Sequence, residues 1–307
     1  MPPQPRASSS PQPDHPAQYV LGTGRDELDR LGFQHRLWSD AAHGLWRQAG
    51  IAIGQRVLDV GCGPGFASFD MAQIVGLEGD GTTAAPGRGG GCVVGVDESA
   101  SYVAYYNDQA EHRGLHRCSA VVGDVQNLPG VLRSPPSGSA RAATSHFDLA
   151  YARWVLCFVP RPEDVVAGVG AALKTGGRFC VHDYFNYNSM TMAPKRPSHD
   201  RAVAATIASW QARGGDTDIM GRLPRILKDH GFRVDHIGVH QRIARGRDTM
   251  FHWPDVWWRI YAPKLVQMGF LAKEDQEQLF RDLEEIAHSD TDFIVAPPVY
   301  EIIATKL

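Results

Sequence analysis

No stretch of this 307-residue chain stays apolar for the roughly 20 residues that a membrane span requires, and its start lacks the basic-then-apolar pattern of a secretory leader. Cysteine is sparse: five residues, at 62, 92, 118, 157 and 180, an odd number with no CxxC pair. That spacing favours reduced core or loop thiols over a disulfide framework or zinc ligands, and no metal is expected. Basic charge is not in excess either, with 31 Lys and Arg against 34 Asp and Glu. A net charge of −3 does not suit a protein that tracks a phosphate backbone. The expectation is a soluble, cytoplasmic protein with a small-molecule partner and neither nucleic acid nor membrane as a partner.

Residues 1–18 are rich in Pro, Ser and Gln and have almost nothing apolar to bury, which predicts a disordered tail. Over 19–50, Leu28, Leu31, Leu37, Leu45 and Trp46 recur at roughly helical spacing among charges and predict an N-terminal helical cap. From residue 51 to 185 short β-branched or aromatic runs (RVLDV, CVVGV, SAVVG, FDLAY, RFCVHDY) alternate with helix-like segments near 65–76, 99–113 and 161–174. Such alternation predicts a parallel sheet covered on both faces, with its ligand at the carboxyl ends of the strands. Gly, Pro and Ser mark two padded connections, 78–91 and 130–146, as surface insertions. Downstream, 186–220 reads as a lid segment, 221–244 as a core helix and strand, 245–298 as a helical lid and 299–307 as a final core strand.

VLDVGCGPG (57–65) carries the most chemistry. A strand ending in Asp59 runs into Gly61, Cys62, Gly63 and Gly65, so the backbone can turn tightly against a ligand while the next helix presents its amides. The glycines are spaced G-x-G-x-G, whereas dinucleotide folds use G-x-G-x-x-G, which disfavours NAD. Asp97, followed by Glu98, ends the second strand where a carboxylate accepts from both hydroxyls of a ribose. Asp124 and Val125 follow the third strand, placed to meet an adenine edge. Each acid has a plainer reading as a turn or helix cap, but three at successive strand ends favour one ligand site.

Taken together, VLDVGCGPG, VVGVDES, GDVQNLP, FDLAYARWVLCFVPRPEDVV and LKTGGRF resemble the class I S-adenosylmethionine (SAM)-dependent methyltransferases, especially their ubiquinone-biosynthesis-type small-molecule branch. The resemblance covers about 56–183. It implies an α/β, Rossmann-like, mostly parallel seven-stranded sheet with an antiparallel last strand, helices on both faces and a helical lid. By the same resemblance, Asp59 and the Gly61–Gly65 loop hold the methionine end of SAM, Asp97 binds the ribose, Asp124 and Val125 flank the adenine, and Ala152 and Arg153 line the floor.

Transfer of an activated methyl is an in-line displacement, so orientation and exclusion of water supply much of the acceleration. A hydroxyl acceptor would gain from a base, and His182 and Asp183 leave the fifth strand where an acceptor would be handled. Neighbours on a strand point to opposite faces, so both face the site only if the strand has ended. Tyr184, Tyr187 and Trp253 are the expected walls of an acceptor pocket within an aromatic stretch. Between 186 and 247, eleven Lys and Arg stand against five Asp and Glu, making Arg196, Arg222 and Arg245 candidates for an acidic acceptor; Tyr19 and Arg36 are candidates to close over SAM. Two other readings remain open: a non-catalytic SAM-binding interaction module and a nicotinamide-dependent oxidoreductase.

Overall fold

A computed structural model describes residues 25–76, 90–133 and 146–307. The tail, Tyr19 and most of both padded connections lie outside the described residues. The expected cap is a single helix, α1 (Arg25–Gln48), followed by β1 (Arg56–Val60), α2 (Phe66–Val75), β2 (Cys92–Asp97), α3 (Ala100–His112) and β3 (Cys118–Val122). Then come α4 (Leu128–Arg133), β4 (Phe147–Arg153), α5 (Pro162–Ala172), β5 (Leu173–Tyr184), β6 (Thr191–Ala193), α6 (Pro197–Gln211), α7 (Leu223–Asp229) and β7 (Phe232–His240). The chain closes with β8 (Ile243–Arg245), α8 (His252–Gln267), α9 (Lys273–His288), β9 (Phe293–Val295) and β10 (Val299–Lys306). No helix among the described residues is long and apolar enough to cross a membrane.

Seven strands form one sheet in the order β3-β2-β1-β4-β5-β10-β7, parallel except for β10, which runs antiparallel to both neighbours. Strand alternation sorts the core into two halves. Val57, Val93, Tyr151, Cys180 and Ile303 face α1, α2 and α3, with Trp46 and Tyr106 packed among them. Leu58, Val96, Ala150, Val181 and Ile302 face the opposite side, with Leu128, Val165, Val169 and Leu227 from α4, α5 and α7. Connections after β1 and β4 therefore depart in opposite directions, which leaves a crevice at the carboxyl ends of these adjacent strands.

The lid differs from expectation by containing a sheet. Strands β6, β9 and β8 pair antiparallel and tie the 185–220 excursion to the 241–298 excursion. The strand expected over 233–244 is split, because Ala296 N–H donates to Arg242 O and the Gln241 amide donates to Ala296 O, drawing the chain away after His240. Helices α6, α8 and α9 pack beside this small sheet around Trp258, Leu279, Leu283 and Ile286, all fully buried.

At the centre of the lid the Tyr261 hydroxyl accepts from Trp210 Nε1 at 3.1 Å and lies 2.9 Å from Ser209 Oγ. Tyr261→Phe leaves the buried indole N–H without that acceptor and is expected to cost about 1–3 kcal/mol. A urea midpoint unchanged from the parent would show that this bond does not hold the lid together.

Candidate functional site

A cavity of about 810 Å³ opens at the crevice, walled by the ends of β1, β2 and β4, by the turn after β3, by α1 and by the lid. One side is polar. Gly61, Cys62 and Gly63 bring backbone to its wall, and Asp59, Asp97, Glu98, Asp124, Val125 and Arg153 join them. Of the cofactor-binding candidates only Gly65 and Ala152 do not line it. Gly65 works from behind: its φ of 90° and the 2.4 Å that would separate a Cβ from Tyr106 Cδ2 let the loop turn into α2 with no side chain in the way. Ala152 faces the α5 side of the sheet with Ala150 and contributes packing instead.

Asp97 anchors the loop. Its Oδ2 accepts from Gly63 N at 2.8 Å and its Oδ1 from Ser99 N at 2.9 Å, which leaves a lone pair on each oxygen. Burial raises its pKa despite those two bonds. Burial likewise raises Glu98, with Asp97 and Asp124 adding to the effect. Asp124 also caps the 3-10 turn Val125–Asn127 by accepting from Gln126 N at 2.8 Å, so the cap reading and an open carboxylate hold together. Asp59 is more deeply set, 3% exposed, and accepts from Ser68 Oγ at 2.5 Å. Burial pushes its pKa up to about 6, against the opposing effects of Ser68 and Arg153 and with Asp97 reinforcing it.

Arg153 is held by residues that sequence reasoning missed. Its Nη2 donates to His35 Nδ1 at 3.0 Å, which puts the His35 proton on Nε2, the atom 3.0 Å from Asp70 Oδ2. Burial keeps His35 below its ordinary pKa, outweighing Asp70, and Arg153 adds to the lowering. Arg153 Nη1 is buried without a hydrogen-bond partner among the described residues. Helix α1 thus aims one arginine at the floor of the cavity and leaves one of its N–H groups unspent. Arg36, the candidate on the same helix, is exposed and does not line the cavity.

The other side of the cavity is aromatic. Tyr184, Tyr187 and Trp253, the expected walls, are joined by Trp154, Phe158, Trp210 and Trp257. Trp154 directly follows β4 and has a φ of 54°, a left-handed conformation that a bulky residue adopts only when its surroundings impose it. Its ring stacks on Tyr184 at 6.2 Å and on Trp253 at 6.1 Å. Trp253 in turn donates from Nε1 to Gln34 Oε1 of α1 at 3.0 Å. Periodicity gives no sign of this backbone twist, although the residue falls where a strand-end ligand contact belongs.

The geometry corrects two expectations. Strand β5 continues through Tyr184, so His182 and Asp183 still alternate, and neither lines the cavity. Asp183, 0% exposed and with its pKa pushed up to about 6 by burial, accepts from Tyr184 N and Cys157 N and so pins the turn after β4. His182, 1% exposed, lies between the Tyr151 hydroxyl and Glu301, and burial lowers its pKa against the pull of Glu301. Arg196 and Arg222 are engaged in ion pairs outside the cavity, with Glu285 and Asp292 and with Glu163 and Asp216, and Arg245 does not line it; Arg30, Arg153 and Arg213 do.

Comparison with known proteins gives this geometry relatives. Aklanonic acid methyltransferase DauC of Streptomyces sp. (strain C5) is 30% identical over 125 residues, 41% of this chain and 46% of that protein. Sterol 24-C-methyltransferase of Eremothecium gossypii is 27% identical over 162 residues, 52% of this chain and 36% of that protein. The chain therefore spans less than half the length of these relatives. Among solved structures, the YcgJ protein of a Bacillus species superposes with a TM-score of 0.53 at 13% identity, over 87% of this chain and 98% of that one. A Haemonchus contortus phosphoethanolamine N-methyltransferase superposes with a TM-score of 0.52 at 16% identity, over 92% and 57% respectively; at these identities the likeness is one of fold. Residues 52–231, more than half of the chain, match the family described as a methyltransferase domain, and the chain belongs to that family.

Proposed function

We propose that the protein binds SAM on the polar side of the cavity and transfers its methyl group to a small molecule held on the aromatic side. The observation that carries this reading is the convergence of Asp59, Asp97 and Asp124, from three successive strand ends, with a glycine-lined backbone on one wall of one cavity. The residues present suit the cofactor. Asp97 has lone pairs left for two ribose hydroxyls, Asp124 and Val125 flank a place for the base, and the unpartnered Arg153 N–H suits the carboxylate of the methionine end while Asp59 suits its ammonium group. Bound there, SAM supplies a methyl already activated by its sulfonium.

The chain's own contribution is then positional. The aromatic walls act by fixing the acceptor on the transfer axis and keeping water out. Electron-rich faces of Trp154, Tyr184 and Trp253 also favour a cationic centre between the two sides. The curated relatives' names mention aklanonic acid and sterols, and a wide aromatic chamber is consistent with an apolar acceptor of that kind. Isotopically labelled SAM incubated with the protein and a fractionated cell extract is expected to yield one labelled metabolite identifiable by mass. SAM binding without transfer to any fraction would leave a non-catalytic module, and tight NADH binding without SAM binding would end the proposal.

Asp97→Ala is expected to weaken SAM binding by about 1–3 kcal/mol in a calorimetric titration; an unchanged Kd would remove the ribose from that strand end. Trp253→Ala is expected to raise the acceptor KM about tenfold or more while SAM binding holds, since a buried aromatic wall contributes roughly 1.5–3 kcal/mol. A matching loss of SAM affinity would instead mean that the lid had collapsed. Because the Asp59 carboxylate must be ionised to pair with a cation and its pKa stands at about 6, protons compete for it as pH falls through that value. SAM affinity should therefore be full above that pH and decline below it, and Asp59→Asn should bind weakly with that pH dependence removed.

A further inference from the structure

On the α1 side of the sheet, away from the glycine loop, four ionisable side chains from three neighbouring strands meet. Glu301 of β10 is paired across the strands with His182 of β5 and with Gly238 of β7. His236 and His240 flank Gly238 at two-residue spacing and so present their rings on the same face as Glu301. A Cβ at Gly238 would lie 2.8 Å from Glu301 Oε1 and 2.9 Å from His236 Nε2, so a side chain there would push the carboxylate or the imidazole from its present place. Glu301 Oε2 is 3.1 Å from His182 Nε2 and 2.8 Å from His240 Nε2, and Oε1 is 3.0 Å from His236 Nε2.

We propose that His182, His240 and Glu301 form a binding site for a divalent transition-metal ion, Zn²⁺ by the character of its donors, that staples edge strand β7 to the centre of the sheet. The three donor atoms lie within 4.8 Å of one another. Two imidazole nitrogens and one carboxylate oxygen are ligands that zinc takes at about 2.0–2.2 Å, which puts neighbouring donors of a tetrahedral ion about 3.3 Å apart. Glu301 Oε2 already stands near that spacing from both imidazoles. Outer partners are present too: the Tyr151 hydroxyl lies 3.1 Å from His182 Nδ1, and His236 holds the second carboxylate oxygen. Groups in such positions fix the ring orientation and tautomer of a metal ligand. With the metal on Nε2, His182 carries its proton on Nδ1 and donates it to Tyr151.

An ion can enter from the solvent side of β7. The side chains of His240 and His236 are 31% and 28% exposed, whereas His182 is sealed at 2%. The ion would bring β5, β10 and β7 into one cross-linked unit, and Tyr151, a residue of the cavity wall, would be one hydrogen bond away from it. Neither SAM nor an acceptor is needed to detect it, so the site stands or falls apart from methyl transfer.

The test uses the full chain, free of any affinity tag and stripped with EDTA, titrated with Zn²⁺ by calorimetry and with Co²⁺ by visible absorption. One equivalent is expected to bind and to raise the Tm. Glu301→Gln and His240→Ala should each lower Zn²⁺ affinity beyond the roughly 10- to 100-fold that loss of an outer partner produces, and a variant lacking the exposed His112 and His288 should bind like the parent. Absence of saturable binding would mean a hydrogen-bonded imidazole–carboxylate cluster only. Binding that survives both substitutions would mean an adventitious surface site; either result overturns the proposal. Should the variants fail to fold, carbethoxylation of the parent read by peptide mass spectrometry decides it: Zn²⁺ must protect His240 and not His112 or His288, and equal labelling of all three overturns the assignment.

Discussion

The reversal of winding between β1 and β4 is the constraint on which the rest of the molecule depends. Strands β1 and β4 are hydrogen-bonded neighbours, yet their onward connections leave for opposite faces of the sheet. Backbone at their carboxyl ends is therefore not covered by either crossover, and a cleft exists before any side chain is chosen. Glycines on the β1 side and the twisted Trp154 on the β4 side then decide what the cleft is like: bare backbone and carboxylates on one wall, stacked rings on the other. Under the proposed function the two walls suit different partners, the polar one a charged nucleoside and the aromatic one an apolar acceptor.

Burial does more than line this cleft. A row of polar groups crosses the α1 face of the sheet, from Asp59 through Tyr151 and Arg153 to His182, Glu301 and His240. In a parallel sheet covered by helices such groups are costly unless bonded, and nearly all of these find partners. Burial shifts them toward neutrality: Asp59 is raised and His182 lowered. Glu301 is the exception. Hydrogen bonds from His182, His240 and His236 outweigh its burial and hold it well below the usual carboxylate range. The unspent N–H of Arg153 and the carboxylate of Asp59 face the cavity, and the imidazole-ringed carboxylate of Glu301 lies at the other end of the row.

The lid shows how two excursions become one structure. Neither 185–220 nor 241–298 adds a strand to the main sheet; instead β9 pairs with β6 from the first and β8 from the second. The aromatic residues in these segments divide accordingly. Trp258 and Tyr261 are core of the lid, while Trp210, Trp253 and Trp257 also reach the cavity.

What the sequence determined by itself was everything that depends on local order. The alternation of short strands with helices, glycine loop after Asp59, and acids at the ends of β2 and β3 are all set by near neighbours, and each stands where the pattern placed it. Arg153, which the resemblance placed at the floor, and Tyr184, Tyr187 and Trp253, from the aromatic stretch after the fifth strand, line the cavity. The fate of His182 and Asp183 was not legible locally, since it turned on whether β5 ended before Asp183, and pairing with β10, more than a hundred positions away, carries it through Tyr184. The same holds for the hold of His35 on Arg153, the small sheet of the lid, and the gathering of His182, His236, His240 and Glu301. Each joins residues remote along the chain through strand register and helix packing, and no spacing within a single element records which remote partner will be brought to hydrogen-bond distance.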